Sequence, residues 1–145
     1  MANMIETIEH DGKTLALILR ANFSASGIKF FTPNEYSQQL GYMNHPAGKV
    51  IEPHYHKLQH RAVVQTQEVL FLRRGRLRVD FYGSDLSYLE SRILLAGDII
   101  LLATGGHGFE ALEEIEMIEV KQGPYMTEED KVRFDPIAKD KVVVK

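Results

Sequence analysis

Four of the six histidines, His45, His54, His56 and His60, fall within sixteen residues of a chain that contains no cysteine. His54-Tyr55-His56 ends a short extended piece, Val50 to His56, that follows the turn Pro46-Ala47-Gly48. Strand side chains alternate faces, so the His54 and His56 imidazoles leave the same side and can share one ion. Glu68 opens the next apolar stretch and shares a face with Leu70 and Leu72. A carboxylate at the end of an apolar face is costly unless something pairs with it. His107 stands in Gly105-Gly106-His107-Gly108, directly after the apolar run Ile99 to Ala103. Together His54, His56, Glu68 and His107 form a nitrogen and oxygen ligand set with open positions for water or substrate. Such a set suits a divalent ion (iron, manganese, nickel or zinc), and the missing cysteines exclude thiolate sites.

Other residues compete for these roles. His60 is an alternative ligand, because the segment from Lys57 to Gln67 is long enough to fold back. His45 beside Pro46 reads as a turn residue and His10 as a surface one. Arg61, Gln65 and His60 could hold an oxygen-rich small molecule at the mouth of the site, against the simpler reading of a solvated loop. Arg73, Arg74, Arg76 and Arg78 resemble an anion clamp, but they flank a hairpin tip, where solvated charge is the norm. Glu113-Glu114 reads as a solvated turn. A metal-free site using histidine acid–base chemistry is the third alternative, since a neutral imidazole moves protons at physiological pH. Glu68 would then need a different partner.

The elements that must position these groups are strands. Asp11-Gly12 separates Ile5–Glu9 from Thr14–Leu19 as a first hairpin. Gly27–Phe31 precedes the turn cluster Thr32-Pro33-Asn34-Glu35, and Tyr36–Met43 follows it. Val69–Leu72 and Leu77–Tyr82 flank Arg74-Gly75, which reads as a tight hairpin turn that puts Glu68, Leu70 and Leu72 on one face with Leu77, Val79 and Phe81. Tyr88–Leu95, Ile99–Ala103 and Met117–Lys121 complete the set. Recurrent breakers without long helices predict an all-β sandwich or barrel in a single domain spanning 1–145. Val69 and Phe71 make the outer face of their strand apolar too, which predicts a covering partner and a homodimer. The tail from Gly123 is polar with a β-prone end, fit to add an edge strand or lie across a neighbour.

The 145 residues are 44% hydrophobic and 26% charged, with a net charge of −3, an ordinary globular balance. It offers no basic footprint for nucleic acid or for anionic membranes. Met1 to Asp11 lacks a basic start and an apolar core, and the longest apolar run is far below the roughly 20 residues of a membrane span. A cytoplasmic protein acting on a small molecule is the expectation.

Gly48, five residues, then His54-Tyr55-His56, with Glu68, six residues and Gly75, resembles the first sequence motif of the cupin superfamily. Gly97, five residues, Ala103-Thr104-Gly105 and then His107 resembles the second. The two motifs run from Gly48 to about Glu110. The resemblance implies a single double-stranded β-helix, or jelly-roll, barrel. It also implies a metal held by His54, His56, Glu68 and His107. The chain departs from the pattern in its eleven residues between His56 and Glu68, in Ala103 for proline, in the early His107 and in Ala111 for asparagine. Thr66–Phe71 and Gly105–Phe109 are similar to small bacterial cupins often encoded near surface-sugar genes. That similarity implies a sugar-derived substrate and a metal-dependent isomerase, epimerase or oxygenase in polysaccharide biosynthesis. A binding or sensory module with a structural metal, and a metal-free isomerase or epimerase, are the alternatives.

Overall fold

A computed structural model describes residues 4–145. Met1 to Asn3, the start of the stretch read for a leader, lie outside the described residues. In chain order the strands are β1 (Ile5–His10), β2 (Lys13–Leu19), β3 (Gly27–Phe30), β4 (Gly41–Asn44), β5 (Glu68–Arg74), β6 (Arg76–Tyr82), β7 (Tyr88–Leu95), β8 (Ile99–Leu102), β9 (Gly106–Ala111) and β10 (Glu116–Lys121). The fold is all-β, with two short 3-10 turns near the C-terminus and no α-helix among the described residues. One antiparallel sheet has the order β1-β2-β8-β5-β10, a second has β7-β6-β9, and β3 pairs β4 alone. None of the three closes into a barrel.

The first hairpin forms as the Asp-Gly turn dictates, with Asp11 and Gly12 both in the left-handed region. The second does not form. β5 pairs with β8 and β10, whereas β6 pairs with β7 and β9, so Arg74-Gly75 carries the chain from one sheet to the other. Leu70 and Leu72 therefore meet Leu77, Val79 and Phe81 across the core instead of along one sheet. The face assignment survives because alternation is the same in either arrangement. Gly75 has φ +89, and a Cβ on it would overlap the Glu114 carbonyl oxygen. Gly75→Ala is therefore expected to cost more than about 1 kcal/mol in urea unfolding, since both the backbone and its neighbour resist a side chain.

Two apolar clusters lie on opposite faces of the five-stranded sheet. The inner one joins Ile18, Leu70, Leu72, Ile100 and Leu102 to Leu77, Val79, Phe81 and Leu94 of the facing sheet. The outer one gathers Leu17, Leu19, Leu101 and Ala103 with Val69, and Phe23, Phe31, Tyr36 and Leu40 cover it. Much of the outer face expected to need a partner is thus covered by this chain's own segment around β3 and β4, and Phe71 stays 36% exposed. Tyr36–Met43 is a strand only from Gly41, because residues 32–40 form turns in which the Gln39 side chain bonds the carbonyls of Pro33 and Tyr36.

Of Gly105–Gly108, read as a loop, Gly106, His107 and Gly108 become the start of β9 through their pairing with β6. The tail does add to an edge: Val143 and Lys145 exchange backbone bonds with Ser91 of β7, and Phe134 packs edge-on against Tyr82. Residues 50–64 belong to no strand, although the alternation of 50–56 is that of one.

Candidate functional site

Glu68 begins β5 on the inner face, in register with Leu102 of β8 and Lys121 of β10. His107 lies on β9 opposite Phe81, whose side chain is fully in the core, so it faces inward from the other sheet. The two meet: His107 Nε2 is 3.3 Å from Glu68 Oε2. The Glu68 side chain is 12% exposed and that of His107 30%, which leaves the pair reachable from solvent on one side. The hydrogen bond from His107 is the main influence holding the Glu68 carboxyl below the usual carboxylate range, against the burial that pushes it up. Glu119, by a further hydrogen bond, and the Lys121 charge act in the same downward direction. The partner that Glu68 needs is therefore present, and it comes from the second motif. Glu119 and Lys121 are participants that sequence reasoning missed; their signal was alternation along β10, which puts both on the face of Leu70 and Glu68.

His54 and His56 are neighbours, with ring centroids 5.5 Å apart, as the period of two requires. Both are exposed on the irregular segment between β4 and β5, where His54 Nδ1 bonds the Glu52 carbonyl. Among the described residues no three His, Asp or Glu side chains gather as a group able to hold a metal. The structure thus assembles the four expected ligands as two separate pairs.

His60 and Gln65 are exposed on the same segment. Arg61 lines a cleft of about 720 Å³ with Asn34, Tyr36, Gln39 and Val63, and neither Glu68 nor His107 borders it. Gln67, beside Glu68 but facing outward, is buried, and its side-chain oxygen accepts from the Gln38 backbone and the Ser37 hydroxyl. The arginine group is accounted for by ion pairs. Arg73 and Arg74 face Glu116, Arg74 also faces Glu114, Arg76 faces Glu113, and Arg78 bridges Asp80 and Glu110. Glu113 and Glu114 are the acidic side of these pairs. His45 follows the last residue of β4 with its Nε2 enclosed and without a partner among the described residues, and His10 lies against Asp11.

A second charged network lies away from this pair. Arg20 spans Glu6 and Asp98, and Arg92 bonds Glu6 and Glu90. Burial raises the Glu6 carboxyl, but the two arginines outweigh it and hold it below the ordinary value of 4.5. A carboxyl lowered by folding stabilises the native state above its unfolded pKa, and loses that contribution as pH falls through its folded value. Glu6→Gln is accordingly expected to be less stable than the parent at pH 7, with the gap closing below pH 4.5 in urea titrations at stepped pH.

Compared with protein-family models, with curated proteins and with solved structures, the chain matches none. No helix of the described residues is long and apolar enough to cross a membrane.

Proposed function

We propose that this chain is a cupin-type protein that acts on a small polar metabolite, sugar-derived, between its two larger sheets. Its centre is Glu68 with His107. The observation that supports this is their convergence: an anion and an imidazole from the two motifs, carried on facing sheets, lie within 3.3 Å on the solvent-reachable side of an apolar core. On this reading the two sheets are halves of a jelly roll whose side between β9 and β10 is open. The protein works in the cytoplasm as a homodimer.

The donor chemistry of Glu68 and His107 suits a divalent iron, manganese, nickel or zinc ion, and His54 and His56 would be its other ligands. A single chain does not fit that ion, since only two of the four donors meet. An ionised Glu68 takes the Nε2 proton of His107 as a hydrogen bond, which fixes the ring and leaves Nδ1 as the free proton acceptor. Lys121 supplies positive charge beside Glu68 for an oxygen-rich ligand. The pairing of Glu68 with His107, without a third ligand beside them among the described residues, favours a second reading, a metal-free isomerase or epimerase in which His107 moves the proton.

Metal analysis of protein purified without a histidine tag separates the two. Stoichiometric metal in the parent, lost in His54→Ala and in Glu68→Gln, supports the metal site. Metal that persists in both variants refutes that site, and a parent that stays metal-free after reconstitution leaves the acid–base reading.

A further inference from the structure

We propose that residues 50–64 form an arm exchanged between two copies of this chain, each arm pairing with the free edge of the partner's β9. The exchange itself rests on the arm and the strand edges. Its consequence, that His54 and His56 reach the partner's Glu68 and His107, rests on the metal reading above.

The arm has strand character and nothing to pair with. No backbone hydrogen bond joins residues 50–64 to any other part of the described chain. Several of its apolar side chains are open: Leu58 and Val64 are fully exposed, Tyr55 is 83% exposed and Val50 72%, whereas Val63 near the returning root is 40% exposed. Backbone donors and apolar groups left open together are the features of a segment that pairs by strand addition.

The arm is also rooted on the wrong side of its own sheet. It leaves β4, in the layer that covers the outer face, and it returns along that layer, with Arg61 and Val63 beside Asn34 and Tyr36. Gln67, gripped by Ser37 and Gln38, fixes the returning root there. Glu68 and His107 open on the inner side, so a second copy reaches them without undoing these anchors.

The receiving edge is specific. In the three-stranded sheet the far edge at β7 is taken by the tail residues Val143 and Lys145. β9 pairs only with β6, so its other edge has no strand beside it among the described residues. This is the strand that carries His107. A piece such as 51–56 matches the six residues of β9 in length, and alternation would turn His54 and His56 to one face together. Pro53, which has no N–H to donate, is tolerated in an outermost strand. Exchange of an identical segment between copies is a low-cost route to a dimer.

The test uses the full chain, without a histidine tag. Light scattering after size exclusion is expected to give twice the chain mass for the parent. Tyr55→Asp with Leu58→Asp is expected to give the single chain mass, with unchanged far-UV circular dichroism. Leu58 is fully exposed and Tyr55 83% exposed, so the charges are expected to leave the monomer folded. A monomeric parent at tens of micromolar, or a double variant that dimerises as tightly as the parent, overturns the exchange. The second arm uses cobalt(II) absorbance on mixed dimers of His56→Ala and His107→Ala chains, isolated through two different non-histidine tags. Exchange pairs one intact arm with one intact body, so the mixed dimer binds one cobalt where the parent dimer binds two. A mixed dimer that binds none, beside a parent that binds two, overturns it. If the parent itself binds no cobalt, the metal reading fails, and the sizing result alone decides the exchange.

Discussion

Asp98→Ala is expected to remove about 3–5 kcal/mol of stability, the cost of leaving a buried charge pair half-broken. The Asp98 side chain is 4% exposed. It accepts from Arg20 Nη1 at 2.8 Å, from the Ala21 N–H at 2.9 Å and from the Leu95 N–H at 2.9 Å. Removing the carboxylate strands all three donors, and two of them are backbone groups that cannot turn to water. The site is also a junction: the Asp98 carbonyl accepts from the Leu72 N–H, and Leu72 returns its carbonyl to the Gly97 N–H. The turn between β7 and β8 is thereby tied to β5, and so one sheet to the other. Against a total of about 5–15 kcal/mol for a domain, this loss is a large fraction. Urea unfolding should show a lower midpoint, and Asp98→Asn, which keeps an acceptor of the same shape, should fall between the parent and Asp98→Ala. Equal losses in the two variants would mean that charge, and not the backbone bonds, carries the effect.

This network was invisible in the sequence, and the reason is physical. Arg20 and Asp98 are 78 positions apart, and nothing local marks one acid among many as the one a distant arginine will reach. The same holds for strand partners. Alternation along Glu68–Leu72 and Leu77–Tyr82 told correctly which side chains meet in the core, because alternation belongs to the strand itself. It could not tell neighbouring strands from facing ones, since a glycine with positive φ serves a hairpin turn and a corner between sheets equally well. β9 escaped notice because Gly106 and Gly108 carry no β-branched or aromatic signal; β6 makes it a strand. Residues 50–56 were the converse case, a strand pattern that finds no ladder in one chain. The site was half legible for the same reason. Motif spacing brought out Glu68 and His107, whose strands have partners within the chain, whereas His54 and His56 lie on a segment that no strand of the described chain pairs with.

Glu68→Leu should separate function from stability more sharply than any other change at the site. Glu68 occupies the last position of a face whose other members, Leu70 and Leu72, are apolar and buried. Its charge is tolerated there because His107 bonds it, not because packing calls for it. Replacing a buried ion pair member by a hydrophobe of similar volume removes the desolvation cost, and His107, 30% exposed, can turn its ring nitrogens to water. The melting temperature is therefore expected to hold within a few degrees or rise, on the scale of roughly 2–4 °C per kcal/mol for a domain of this size. Metal or ligand binding should fall by more than about 100-fold, beyond the loss typical of residues that only support a ligand. A group whose removal costs nothing in stability and everything in binding is held in the fold for its chemistry, as sites that trade stability for activity require. The opposite outcome, a sharp drop in melting temperature with binding intact, would make the Glu68–His107 pair a structural tie between the sheets. Thermal melts and cobalt(II) titration of the same preparation, with Glu68→Gln as the polar control, decide between the two.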